Sequence, residues 1–178
     1  MMKKVIIKAG ILTIVFLAFT LTSSAQLSKK RAAQKDTKAW KYEIECVGIG
    51  KPGTKVIKVW SYSNKASVAK MQAKKNAVHG IIFKGYTGGG RGCTSQKPLA
   101  TDPNVEQQKE EFFDNFFNIN GGKYMKFVAI SGDSTPEVIK VKIKGFKYKV
   151  GIVVTVMTNN LRKNLEAAGV VRGLSSGF

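Results

Sequence analysis

The apolar positions along the chain change period several times, and each change marks an element. Lys3, Lys4 and Lys8 precede an almost unbroken apolar run from Ile11 to Leu21, followed by Thr22-Ser23-Ser24-Ala25 with small residues at Ser23 and Ala25. A positive start, an apolar centre and a small-residue cleavage site are the order of a secretory signal peptide, and the run falls short of the about 20 residues a spanning helix needs. The expectation is a leader over 1–25, cleaved to leave Gln26 first, with no transmembrane segment in the remainder; an uncleaved N-terminal anchor is the alternative. Residues 26–39 are polar and basic without an aromatic, which predicts a flexible linker. A single domain over 40–178 follows.

Within that domain, Tyr42, Ile44 and Cys46 alternate with Glu43 and Glu45, the period of a strand over 42–50. Lys51-Pro52-Gly53-Thr54 is turn chemistry and 56–63 is a second β-rich run, so the two make a hairpin. From Asn64 the period lengthens. Ala66, Ala69, Ala73, Ala77 and Ile81 recur three and four apart, predicting a helix over 65–83 whose small face approaches a sheet, with Lys70, Lys74 and Lys75 pointing elsewhere. Residues 85–101 are glycine-rich and aperiodic, a long loop. A second helix begins at Asp102-Pro103 or Asn104, where Asn104 and Gln107 have capping-box spacing, and ends at Gly121-Gly122. Along it Val105, Phe112, Phe116 and Ile119 share a face, flanked by Phe113 and Phe117.

The last third is again β-rich. Residues 123–130 read as a strand and 131–136 as a turn; then Ile139, Val141 and Ile143 alternate with Lys140, Lys142 and Lys144. Beyond Gly145 the lysines move to odd positions, Lys147 and Lys149, so Gly145 marks a bulge or a bend. Residues 150–157 lose alternation, as a strand buried on both faces does, and a short helix runs from Asn159 or Asn160 to Gly169. The order predicts an α+β fold: a mostly antiparallel sheet of about four strands, two longer helices on one face and a short C-terminal helix.

Charge narrows the function. The 178 residues hold 30 Lys+Arg against 11 Asp+Glu, with one His and two Cys; loss of the leader removes three bases and no acid. So basic a chain favours acidic partners over cations, and its ligand types exclude most zinc frameworks and disulfide-dense scaffolds. No cofactor is implied.

Several segments carry candidate chemistry. Gly85 to Gly90 followed by Arg91 imitates the opening of a phosphate-binding loop, but Gly92 and Cys93 stand where Lys and Ser/Thr belong, and a helix rather than a strand precedes it. A weak anion nest of backbone N–H groups with Arg91 remains. Cys46 and Cys93 are the two cysteines; a disulfide suits export, and a buried free thiol at Cys46 is the alternative. His79 reads as an exposed or rim histidine. Glu106, Glu110 and Asp114 stack at four-residue intervals with Glu111 beside them, which suits pairing with lysines; an enzyme built on Glu106, Glu110 or His79 is the third-ranked reading.

The lysine rows are the broadest signal. Lys140, Lys142 and Lys144, continued by Lys147 and Lys149, would line one strand face at about 7 Å intervals and, with Arg91, offer a surface to an anionic polymer such as lipopolysaccharide phosphate or acidic glycan. The same lysines equally suit protection of an exposed strand against aggregation. Nucleic acid is disfavoured by export and by the scarcity of arginines. The Phe-rich helix wraps more than half its circumference with apolar groups, which leaves Phe113 or Phe117 as an exposed anchor for a partner.

A β-hairpin followed by the alanine-rich helix at 66–78, which ends in the A-x-x-N-A-V pattern of Ala73, Asn76, Ala77 and Val78, resembles the N-terminal modules of FlgT-type periplasmic assembly proteins over about 42–84. The resemblance implies a non-catalytic module that packs within envelope assemblies, and it transfers no site residue. The sequence thus leads to an exported, non-enzymatic, periplasmic or secreted α+β protein of the cell envelope acting through protein contacts, with anionic-polymer binding as the alternative.

Overall fold

The computed structural model describes Leu27, Ser28, Lys30, Arg31, Ala33, Lys35 and residues 40–89, 92–132 and 134–173. The expected leader and Arg91 lie outside the described residues. Five strands form one antiparallel, open sheet: β1 (Tyr42–Ile49), β2 (Lys55–Ser63), β3 (Val128–Ile130), β4 (Glu137–Ile143) and β5 (Phe146–Val156). Within 40–173 the α-helices among the described residues are α1 (Ala66–Phe83), α2 (Val105–Gln108), α3 (Glu110–Phe116) and α4 (Thr158–Ala167). The mixed α+β architecture matches the sequence pattern.

The β1–β2 turn follows from its residues. Pro52 presets its φ and Gly53 supplies φ +79, while the Thr54 amide donates to the Lys51 carbonyl at 2.9 Å. The Gly53 carbonyl then accepts from the Asn159 amide at 3.1 Å and the Thr158 hydroxyl at 3.0 Å, so the hairpin tip caps the start of α4. At the other end of α4, Gly169 takes φ +64 and the Val170 amide reaches the Leu165 carbonyl, a glycine stop as the sequence predicts.

β5 is the spine of the sheet. β2 pairs along one side of it, while β3 and β4 share the other, β3 opposite 154–156 and β4 opposite 146–151. Val150, Ile152, Val154 and Val156 face α1 with Ile57 and Val59 of β2. Helix α1 lies close on that face: the Asn76 amide group donates to the Ser61 hydroxyl at 2.8 Å, and a Cβ at Gly80 would sit 1.9 Å from Ile44 Cδ1. Its far side is covered too, by Phe113 and Phe117 of the following segment. Being buried nearly all round, α1 is a middle layer rather than an amphipathic surface helix.

Several expectations are corrected. The second long helix is broken at Lys109 (φ −115, ψ 35) into α2 and α3. No side-chain capping box forms; the Asp102 carboxylate accepts from the Asn104 amide instead. Val105, Phe116 and Ile119 are buried as the spacing predicts, but Phe113 and Phe117 are buried with them and Phe112 is half-buried. Residues Lys123–Phe127 form a 3₁₀ helix, with only Val128–Ile130 extended, because Tyr124 and Phe127 are buried three residues apart, the 3₁₀ period. Gly145 (φ +88) sits in the two-residue turn joining β4 to β5, and the register shift lies upstream of it, between Lys140 and Ile143. Lys75 is buried, with its ammonium 5.2 Å over the Trp40 ring. Finally, the described residues of the expected linker are helical, and Ala33 is fully buried against Val68 and Ile119. One alanine methyl closes that contact, which composition does not advertise.

Candidate functional site

His79 is the hub of the densest polar and aromatic cluster. Helix α1 places it between the start of β1 and α2, where it is 3% exposed, so the expected exposed histidine is overturned. Its Nδ1 lies 2.5 Å from the Tyr42 hydroxyl and its Nε2 lies 3.0 Å from Glu106 Oε1. Trp40 takes φ +43, a left-handed conformation that costs a non-glycine residue about 1 kcal/mol or more, and stacks its indole on the imidazole at 3.5 Å. Phe83 and Phe117 close the remaining ring faces.

The proton positions follow from electrostatics. Burial holds the His79 imidazole below its ordinary range, against the pull of Glu106, so the ring is neutral with one donor and one acceptor nitrogen. Burial, then the charge of Glu106, pushes the Tyr42 phenol up, so it keeps its proton. Tyr42 therefore donates to Nδ1, and Nε2–H donates to the Glu106 carboxylate. Lys84 sits 3.9 Å over the Tyr42 ring and donates to the Trp40 carbonyl at 3.3 Å; burial lowers its ammonium.

Glu106 opens onto a cleft of about 430 Å³ lined also by Trp40, Lys75, Glu110, Asp114 and Phe117. The structure thus gathers Glu106, Glu110 and Asp114, as their four-residue spacing implies. The imidazole, however, has both nitrogens engaged and lies beneath Trp40, so it braces β1, α1 and α2 and presents no nitrogen to the cleft. Among the described residues no cluster of three or more His, Cys, Asp or Glu is placed to hold a metal ion.

The lysines expected on one strand face are divided. Across the hairpin, Lys140 pairs with Tyr148 while Lys149 pairs with Ile139, and paired residues share a face. Lys140 and Lys149 therefore project to opposite sides. Lys149 is also engaged: its ammonium bonds Glu43 at 2.6 Å and lies 4.9 Å over the Trp60 ring, whose other neighbour is Lys58 at 4.3 Å. Lys58 in turn pairs with Glu137, and the Trp60 indole donates to Glu45 at 2.9 Å. Hydrogen bonds from Lys149 and then Tyr62 hold the Glu43 carboxyl below the usual carboxylate range. This face of the sheet is a self-satisfied charge and aromatic lattice. Lys140, Lys142, Lys144 and Lys147 stay exposed, with no ion pair among the described residues.

Phe113 and Phe117, expected as exposed anchors, are 4% and 3% exposed and belong to the core. The exposed large aliphatic side chains instead include Ile130 of β3 and Val138, Ile139 and Ile143 of β4. The sequence carries this signal as well, in the alternation of Ile139, Val141 and Ile143 with Lys140 and Lys142. Cys46 of β1 and Cys93 of the glycine-rich loop are joined by a disulfide. The loop is clamped at its base where Tyr86 and Gln96 exchange two backbone hydrogen bonds of 2.9 Å. No family model matches the chain, and no curated protein or solved structure is significantly similar to it.

Proposed function

We propose that this chain is an exported, non-enzymatic protein of the cell envelope that acts through protein contacts made at the β3–β4 edge of its sheet. One observation carries the reading: four of the seven exposed large apolar side chains among the described residues, Ile130, Val138, Ile139 and Ile143, fall on β3 and β4, which share one side of β5, while Leu27, Ile49 and Met125 are exposed elsewhere. Aliphatic groups gathered on one edge are the mark of a contact surface. The disulfide is in keeping with an oxidising compartment, and the resemblance of 42–84 to FlgT-type assembly modules points the same way. The anionic-polymer reading is less well supported, because its five lysines divide between two faces and Lys149 is paired.

Co-purification tests the proposal. The tagged full-length chain, expressed with its leader, is expected to leave the envelope fraction at physiological salt with a stoichiometric protein partner. A strictly monomeric protein without a partner, or one retained in the cytosol with an intact N-terminus, would contradict it.

A further inference from the structure

Three strands pair on one side only among the described residues: β1 with β2, and β3 and β4 each with β5. Of these β4 is the most exposed, while β1 is partly buried along its length and β3 is three residues long. The sequence of β4, Glu-Val-Ile-Lys-Val-Lys-Ile, is rich in β-branched residues and has neither proline nor glycine. Apart from the half-buried Val141, every residue of the strand is exposed, and Val138 and Ile139 are exposed on opposite faces. A ribbon bare on both faces with an open row of backbone N–H and C=O groups is a template for another strand.

Resting on the contact reading above, we propose that the free edge of β4 accepts an extended, acidic segment of a partner protein as a sixth strand of the sheet. Backbone pairing would satisfy the open edge, and apolar residues of the incoming segment would lie beside Val138, Ile139 and Ile143. Charge chooses the occupant. Lys140 and Lys142 on the strand, with Lys144 at the turn, present three cations without ion pairs among the described residues, while Glu137 is held by Lys58. Carboxylates opposite these lysines are favoured, and cations opposite them are not.

The same lysines work against a second copy in the register of fullest overlap and in one beside it. Antiparallel pairing of β4 with itself about a two-fold axis, centred on Lys140, sets Lys140 against Lys140; centred on Val141, it sets Lys140 against Lys142. Lysines on an edge strand guard against self-association, and this guard leaves an acidic strand welcome.

The test uses a fluorescein-labelled peptide alternating Glu with Val and Ile, added to the full chain lacking its leader. Saturable binding by anisotropy is expected, weakened about tenfold or more by K140E/K142E/K144E, three surface changes that leave the core untouched. The peptide with Lys for Glu and the peptide with a central Pro should not bind. Hydrogen exchange should show new protection confined to β4 amides. No binding, binding unchanged by the charge reversals, or protection elsewhere would overturn strand addition. If the peptide fails while a protein still cross-links from position 139, strand addition falls and the contact reading stands; if neither forms, both fall.

Discussion

At the residue scale, His79 shows how one polar side chain is kept inside an apolar core. Each nitrogen has a partner of the right kind, Tyr42 as donor and Glu106 as acceptor, and aromatic rings exclude water from the ring faces. The sequence did not reveal this. A lone histidine two residues past Ala77 looks like a rim group until β1 and α2 close over it, because its partners lie 37 and 27 residues away. The cost of burial appears in the pH dependence. The folded state holds His79 neutral below the ordinary value of 6.5, so just below that pH the unfolded chain binds the additional proton. Stability is fully present above 6.5 and falls as pH drops toward the folded value. Urea unfolding between pH 7.5 and 5 should show this loss. His79→Ala should be less stable at pH 7.5 by roughly 2–4 kcal/mol, from the cavity and the orphaned Tyr42 hydroxyl, and should lose less on acidification. Equal acid slopes in the two proteins would remove His79 from this role.

At the element scale, regular alternation was legible and interruptions were not. The β1–β2 hairpin, α1 and α4 carry clear periods and turn residues, and they stand where those signals place them. The segment 102–130 does not, because the kink at Lys109 and the 3₁₀ turn at Lys123–Phe127 depend on what α1 requires of its cover, which no local pattern records. The lysine rows failed for a related reason. Parity within one strand is local, but which face a lysine shares with another strand is set by register. A second register effect is testable. Gly151 lies beneath the Trp60 indole, and a Cβ there would stand 2.7 Å from Cζ3 of the ring. Gly151→Ala should displace Trp60 from its place between Lys58 and Lys149 and destabilise the sheet by about 1–3 kcal/mol in urea unfolding. Wild-type stability would mean that the indole moves at no cost and that the lattice is not tightly packed.

At the scale of the whole molecule, the chain is strongly cationic, yet its acids are placed with purpose. Glu43, Glu45 and Glu137 neutralise one sheet face, and Glu106 seals the His79 brace. Exposed lysines are spread over the described surface, and Lys140, Lys142 and Lys144 among them lie with exposed aliphatic side chains on and beside β4. Composition records the excess charge; only the fold shows that part of it lies beside an open strand edge. The central claim is that this edge meets another protein. The most direct measurement is photo-cross-linking in intact cells from a reactive group placed at Ile139, with the exposed Lys163 of α4 as the control position. We expect one discrete protein adduct from position 139 and none from position 163. No adduct from 139, or the same diffuse products from both positions, would contradict the account.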